Sequence, residues 1–314
     1  MTSAPARVVF LGSGGFAVPA LHRLIQMPEV EVVGVVSAPD RPAGRGGRLL
    51  AVPVAQAAGR RNLPLLQPAR IRTAESVDGI RALRPDVGVL ADYGQILPQA
   101  LLDVPGRGIL NLHPSLLPRH RGAAPIPATI LEDDPVTGVT LIEMDAGLDD
   151  GPIVAQSRVE LTGRETASEL EASLSFDAGG LLAASLGPWL RGELQAAPQD
   201  AGRATLTRPL RREDGRLDSS KPARLLERQV RALQPWPGSF VETPAGRLIV
   251  WRASVEPGPA PLPEAGTIGP GPDLRLATPD GWLVLDEVQP AGGRGMSGAE
   301  LLRGRPALGG SRIV

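Results

Sequence analysis

The 314-residue chain has no cysteine, one lysine (Lys221), three histidines and 3% aromatic residues. The missing cysteine excludes disulfides, thiol nucleophiles and thiolate metal sites. No run reaches the about 18 uninterrupted apolar residues of a spanning helix, so no membrane partner is expected. The opening MTSAPARVVFLGSGG lacks the basic and apolar stretches and the small-residue cleavage site of a secretory signal, and a cytoplasmic protein is expected. The shortage of lysine against arginine follows from coding bias and carries no functional meaning. An excess of one charge is also missing: 33 basic residues meet 34 acidic ones, for a net charge of −1. That balance alone argues against a nucleic-acid partner. It is unevenly spread, however. Residues 208–314 carry 15 basic and 12 acidic residues, so this segment is slightly basic and the rest acidic. A basic tail points towards a polyanionic partner.

Hydrophobic residues make up 42% of the chain, ample for a core, and the length exceeds what one core usually serves. Two domains are expected, at 1–190 and 208–314, with a linker at 191–207. In the first, strands are expected at Arg7–Ser13, Val30–Ser37, Leu63–Leu66, Asp86–Ala91, Gly108–Leu112, Thr137–Met144 and Ile153–Glu160. Helices are expected at Phe16–Met27, Val54–Arg61, Ala74–Leu83 and Glu165–Leu186. Continuous apolar runs alternating with helices specify an α/β fold, a Rossmann-like, mostly parallel sheet covered on both faces. Ligands of such sheets bind at the carboxyl ends of the strands. Beyond the polar, aperiodic stretch Gln195–Arg208, a helix is expected at Ser219–Leu233. Short strands between Pro/Gly turns follow, the pattern of a small β-barrel or sandwich.

The stretch GILNLHPSLLPRHRGAAPI, from Gly108 to Ile126, holds the main chemistry. Asn111 and His113 interrupt an apolar strand with period two, so both face one side at a strand's carboxyl end. A neutral imidazole near pH 7 can accept or give a proton. An asparagine amide can donate to an oxygen that becomes negative in a tetrahedral intermediate. A carboxylate to orient the histidine is sought in EMDAGLDDGPI, where Glu143, Asp145, Asp149 and Asp150 are candidates. Spacing does not choose between Asp149 and Asp150, and an acid in such a turn is equally a turn-former.

Two further stretches stand out. FLGSGGFA is a Gly-rich strand-to-helix turn, but the acid that would support a dinucleotide lies at Asp40, too far along, so a nicotinamide site is disfavoured. The turn's amides remain able to cradle another substrate group. PDRPAGRGGR, residues 39–48, carries Arg41, Arg45 and Arg48 on a connection longer than a sheet protein needs. It reads either as a solvated loop or as a clamp on a phosphate backbone. Arg119, His120 and Arg121 form a second basic patch just after His113.

Together, ILNLHPSLLPRHRGAAPI and GVTLIEMDAGLDDGPIV resemble the formyltransferases that use 10-formyltetrahydrofolate, with their Asn-x-His, Ser-Leu-Leu-Pro and Leu-Asp-x-Gly pattern. The similarity runs nearly end to end. APDRPAGRGGRLL, RALQPWPGSF and VQPAGGRGMSGAELL are similar to members of the family that act on aminoacylated initiator tRNA. The resemblance implies Asn111, His113 and Asp149 as catalytic residues. It implies a folate pocket formed by Leu90, Ala91, Asp92, Tyr93, Ser115, Leu116, Leu117, Pro118, Met144, Gly147 and Leu148. Arg41, Arg45 and Arg48 would contact tRNA, and the tail would be an OB-like barrel that helps dock it. The implied co-substrate is 10-formyltetrahydrofolate, the implied acceptor the α-amine of initiator methionyl-tRNA, and no metal is required. A monomer is expected. Asp92 departs from the small apolar residue often found there, and Ser219 from a tryptophan.

The resemblance implies a reaction in which the amine attacks the formyl carbon and a protonated group delivers a proton to N10 as the folate leaves. Asn111 and a protonated His113 would stabilise the resulting oxygen charge, and Asp149 would keep the imidazole charged. Transfer to a small amine such as an amino-sugar nucleotide is the alternative. A catalytically silent RNA-binding module and an oxidoreductase are further rivals.

Overall fold

A computed structural model describes residues 4–43, 48–259 and 261–313. The chain forms two compact units, one of residues 1–125, 136–160 and 171–207, the other of residues 126–135, 161–170 and 208–314.

The first unit is built on a seven-stranded sheet. Its strands are β1 (Ala6–Gly12), β2 (Val30–Val36), β5 (Leu65–Leu66), β6 (Val87–Ala91), β7 (Ile109–His113), β9 (Val136–Glu143) and β10 (Ile153–Glu160). Their order is β10-β9-β7-β6-β1-β2-β5. The pairs β2–β5, β1–β2, β1–β6 and β6–β7 are parallel, while β9 runs antiparallel to both β7 and β10. The expected mostly parallel α/β sheet is thus present. The crossover segments fold as α1 (Val18–Gln26), α2 (Pro53–Arg60), α3 (Ala74–Ala82) and α4 (Gln99–Leu102). Strand β7 is central and buried on both faces. Ile109, Leu110 and Leu112 are each at most 1% exposed. Each such side chain contributes about 1.5–3 kcal/mol relative to exposure.

Several boundaries differ from the sequence reading for local reasons. The helix expected from Phe16 opens as a tight 3₁₀ turn at Gly15–Ala17, and α1 begins at Val18 with Pro19 in its first turn. Residues 39–48, read as a loop, contain a short antiparallel ladder of β3 (Arg41–Ala43) and β4 (Arg48–Leu50). The helix expected to end at Leu186 runs as α6 (Ala167–Leu190) across Pro188.

The stretch 191–207, expected as a linker, is fastened into the first unit instead. Ile153 and Ala197 exchange both backbone hydrogen bonds, at 2.7 and 2.8 Å. β11 (Leu206–Thr207) pairs in parallel with β8 (Arg121–Gly122). A polar, aperiodic sequence is compatible with this because the segment is held by hydrogen bonds rather than by an apolar face.

The second unit contains α5 residues Ile126–Leu131 and α7 (Ala223–Ala232). Its strands are β12 (Ser239–Thr243), β13 (Gly246–Glu256), β14 (Arg275–Thr278), β15 (Gly281–Pro290) and β16 (Met296–Ser297), followed by α8 (Gly298–Gly304). The expected barrel takes the form of a five-stranded antiparallel sheet, β12-β13-β15-β14, with β16 beside β15. Breaks of register around Arg252 bend β13. Leu226 and Val230 of α7 pack with Val241, Leu248, Val250, Leu276, Leu283 and Val288 into its core. The helix starts later than expected because Asp218–Lys221 form a turn before Pro222.

Candidate active site

The site lies at the carboxyl end of β7. Asn111 pairs with Leu90 on one side and Ile142 on the other, and His113 pairs with Thr140. Both side chains are nearly buried, at 5% and 4% exposure. The loop between β9 and β10 brings Asp149 to them. The Asn111 Nδ2 donates to Asp149 Oδ1 at 3.2 Å, and Asp149 Oδ2 lies 3.7 Å from His113 Nδ1. The backbone N–H of Gly122 donates to the same Oδ2 at 2.9 Å. Gly122 has φ of 100°, and a Cβ there would run into the Thr207 carbonyl, so only glycine brings its amide this close.

Of the four candidate acids, Asp149 alone reaches the imidazole. Asp145 accepts from Gly147 N at 2.9 Å as a local turn-former, Glu143 lies beside Gly108, and Asp150 packs against Gly147. Asp149 sits at φ of 50°, a left-handed conformation that costs a non-glycine residue on the order of 1 kcal/mol.

His113 Nε2 is 2.9 Å from the carbonyl of His120. A carbonyl only accepts, so Nε2 carries the hydrogen and Nδ1 offers its lone pair towards Asp149. Burial is the strongest influence on this imidazole and pushes its pKa below the usual value; the Asp149 charge and the His120 carbonyl oppose it, and His120 adds to the lowering. The resting histidine is therefore neutral near pH 7. This corrects the expectation of an imidazolium: desolvation outweighs the neighbouring carboxylate.

The residues expected around the folate do not share one environment. Leu90, Tyr93 and Met144 belong to one apolar cluster with Leu97 and Ile109, and Ala91 is buried beside them in β6. The Tyr93 hydroxyl is buried without a hydrogen-bond partner, and burial pushes its pKa up to about 12. Gly147 and Leu148 are exposed. Ser115 faces inward, fully buried, and donates to the Arg119 carbonyl at 2.7 Å. Leu116 and Pro118 are half-buried on a turn that Thr140 and Gln156 hold at the backbone of Leu117. Asp92 leaves β6 at φ of 46° and points away from that cluster, its carboxylate over Gly14. Desolvation and the charge of Glu171 push its pKa up to about 6.

The Gly-rich turn is no open cradle, since the amides of Ser13 and Gly14 donate to the Asp92 carbonyl at 2.9 and 3.3 Å. Of the arginines expected to meet tRNA, Arg45 lies outside the described residues, and Arg41 and Arg48 are described by their backbone alone. The second basic patch is not a free surface: His120 is 2% exposed, and the Arg121 guanidinium is bound to Gln199. A helix face or a strand alternation announces no residue such as Gln199, Thr205 or Thr207, which fasten the site from the expected linker. Gln199 is 50 positions from Asp149, and no local signal marks it.

A mostly parallel α/β sheet with Asn111, His113 and Asp149 gathered at its carboxyl edge, followed by an antiparallel sheet, is thus the arrangement of this chain. The Formyl transferase family pattern matches residues 6–186, and that of the Formyl transferase C-terminal domain matches residues 209–306. The chain belongs to this family. It is 44% identical over 300 residues to the methionyl-tRNA formyltransferase of Chloroflexus aggregans, covering 95% of this chain and 97% of that one. It is 42% identical over 308 residues to the methionyl-tRNA formyltransferase of Myxococcus xanthus, covering 98% and 97%.

Among solved structures, the N-formyltransferase from Helicobacter canadensis, in complex with folinic acid and dTDP-3-aminofucose, shares the fold. Its TM-score is 0.66 at 14% identity, covering 89% of this chain and 98% of that one. HypX from Aquifex aeolicus, in complex with tetrahydrofolic acid, gives 0.62 at 15% identity, covering 95% and 47%.

Proposed function

We propose that the chain transfers the formyl group of 10-formyltetrahydrofolate to the α-amine of methionine on initiator methionyl-tRNA, supplying formylmethionyl-tRNA for translation initiation. The convergence of Asn111 and His113 from the end of β7 with Asp149 from the loop after β9 carries this reading, and the identity with methionyl-tRNA formyltransferases over nearly the full chain favours tRNA over a small amine.

The folate is a co-substrate that supplies an activated formyl carbon. The residues present suit it. Leu90, Tyr93 and Met144 offer apolar walls for a flat ring, and the unpartnered Tyr93 hydroxyl is a polar atom lacking its bond. Asn111 keeps one amide hydrogen on Asp149 and has a second to offer an oxygen that gains charge. His113 rests neutral and takes a proton at Nδ1 from the attacking amine, 3.7 Å from the Asp149 carboxylate that then stabilises the imidazolium; the imidazolium gives this proton to N10 as the carbon–N10 bond breaks and tetrahydrofolate leaves. The His120 carbonyl fixes the tautomer throughout. Arg41, Arg45 and Arg48 contact the tRNA, and the 208–314 domain supports docking. The protein works as a monomer.

The decisive experiment incubates the protein with 10-formyltetrahydrofolate and charged initiator tRNA, and separately with an amino-sugar nucleotide. Formylmethionine on the tRNA is expected. Formylation of the sugar alone would replace the tRNA reading with its rival.

A further inference from the structure

Gln199 joins the two loops from which the site is made. Its amide nitrogen donates to the carbonyls of Asp149 at 2.8 Å and Gly151 at 2.7 Å. Its amide oxygen accepts from Arg121 Nε at 3.0 Å and Nη2 at 2.8 Å. Both hydrogens and both lone pairs of one side chain are engaged. On one side of this clamp, the loop after β9 presents the Asp149 carboxylate. On the other, the chain entering β8 supplies the His120 carbonyl to His113, and β8 itself the Gly122 amide to Asp149.

The stem of Gln199 is itself fixed, through the Ile153–Ala197 bridge two residues earlier. Thr205 and Thr207 pin the same turn: Thr205 Oγ1 accepts from His120 N at 2.8 Å, and Thr207 Oγ1 donates to the Arg121 carbonyl at 2.9 Å. A non-glycine residue at φ of 50° persists only where its surroundings over-determine it. For Asp149 the carboxylate bonds hold one end, and Gln199 holds the peptide that follows.

We propose that Gln199 is a positioning residue for formyl transfer: by tying the Asp149 loop to the His120–Gly122 turn, it sets the Asp149 carboxylate against Asn111 and His113. This rests on the formyl-transfer reading of the site. Gln199 bonds to neither Asn111 nor His113 and acts through Asp149.

Gln199→Met keeps the length of the side chain and removes all four bonds. Gln199→Glu keeps the acceptor for Arg121 and removes both donors. Turnover, the KM for each substrate and the melting temperature are measured, together with an NMR titration of the His113 imidazole, which needs no turnover. In Gln199→Met, kcat is expected to fall on the order of 10²-fold, because an ångström of misplacement at a reacting centre costs that much. Both KM values should stay within about threefold. The His113 titration should move lower, since the carboxylate that opposes burial has drifted. The titratable groups facing that ring are Asp149 and His120, and Thr205 still holds the His120 backbone. Gln199→Glu is expected to lose kcat with its fold retained.

A folded variant of either kind with wild-type kcat overturns the proposal. Failure of both to fold also overturns it, since the strap would then be structural only. A wild-type protein that transfers no formyl group, beside a Gln199→Met protein whose His113 titration shifts, refutes the functional reading and not the positioning.

Discussion

Replacing Asp149 by asparagine probes the site at the atom where its parts meet. The carboxylate accepts on both oxygens, from Asn111 Nδ2 and from Gly122 N. An asparagine offers one acceptor and one donor. Its oxygen stays with Gly122, whose N–H is fixed by the backbone, and its NH₂ then faces the Asn111 NH₂. The relief is a flip of the Asn111 amide, which restores a hydrogen bond but turns its donor away from the formyl oxygen. Losing one such donor costs about 10²–10³ in rate.

The substitution also removes the charge 3.7 Å from His113 Nδ1. At an effective dielectric of about 20, unit charges near that distance attract by about 4 kcal/mol, a ceiling on the support for the imidazolium. The two losses fall on one catalytic unit and do not multiply, so the expected drop in kcat is about 10³–10⁴. Stability should change little, because both hydrogen bonds survive the flip. The assay is single-turnover formylation of methionyl-tRNA, with thermal melting alongside. A variant within about tenfold of wild-type turnover would refute the reasoning.

Four further outcomes are expected. Burial lowers the His113 pKa in the folded state. The unfolded chain therefore binds a proton first as pH falls below about 6.5, and stability declines on acidification by at most about 1.4 kcal/mol per pH unit. Denaturant titrations of His113→Gln should lack that slope. The raised Asp92 pKa of about 6 acts in the opposite sense: its penalty is fully present above that pH and fades as the carboxyl protonates, so Asp92→Asn should raise the melting temperature at pH 7 and not at pH 4. A Cβ on Gly14 would overlap the Asp92 carboxylate, so Gly14→Ala should destabilise the wild type more than an Asp92→Ala background, as a double-mutant cycle would read. Arg41→Ala should weaken tRNA binding and flatten its dependence on salt, measured by filter binding across ionic strength. An unchanged slope would make residues 39–48 a mere connection.

Local pattern alone determined much of this protein. Val30–Val36 and Ile153–Glu160 read as strands because apolar runs and alternation are properties of adjacent residues. Asn111 and His113 were legible for the same reason, two polar residues in phase at the end of a buried strand. The choice of Asp149 over Asp150 was not in the spacing. It came from resemblance; in the fold a left-handed turn aims the Asp149 carboxylate at His113 and leaves its neighbour against Gly147.

Only the tertiary structure shows burial lowering the His113 pKa, because desolvation depends on what packs around a ring and not on its sequence neighbours. Only the tertiary structure gave Gln199 a place, since both loops it joins lie tens of residues away and its hydrogen bonds have no periodicity to betray them. Sequence fixes hydrophobic phase along a segment, while long-range hydrogen bonding and burial exist only once the segments have met.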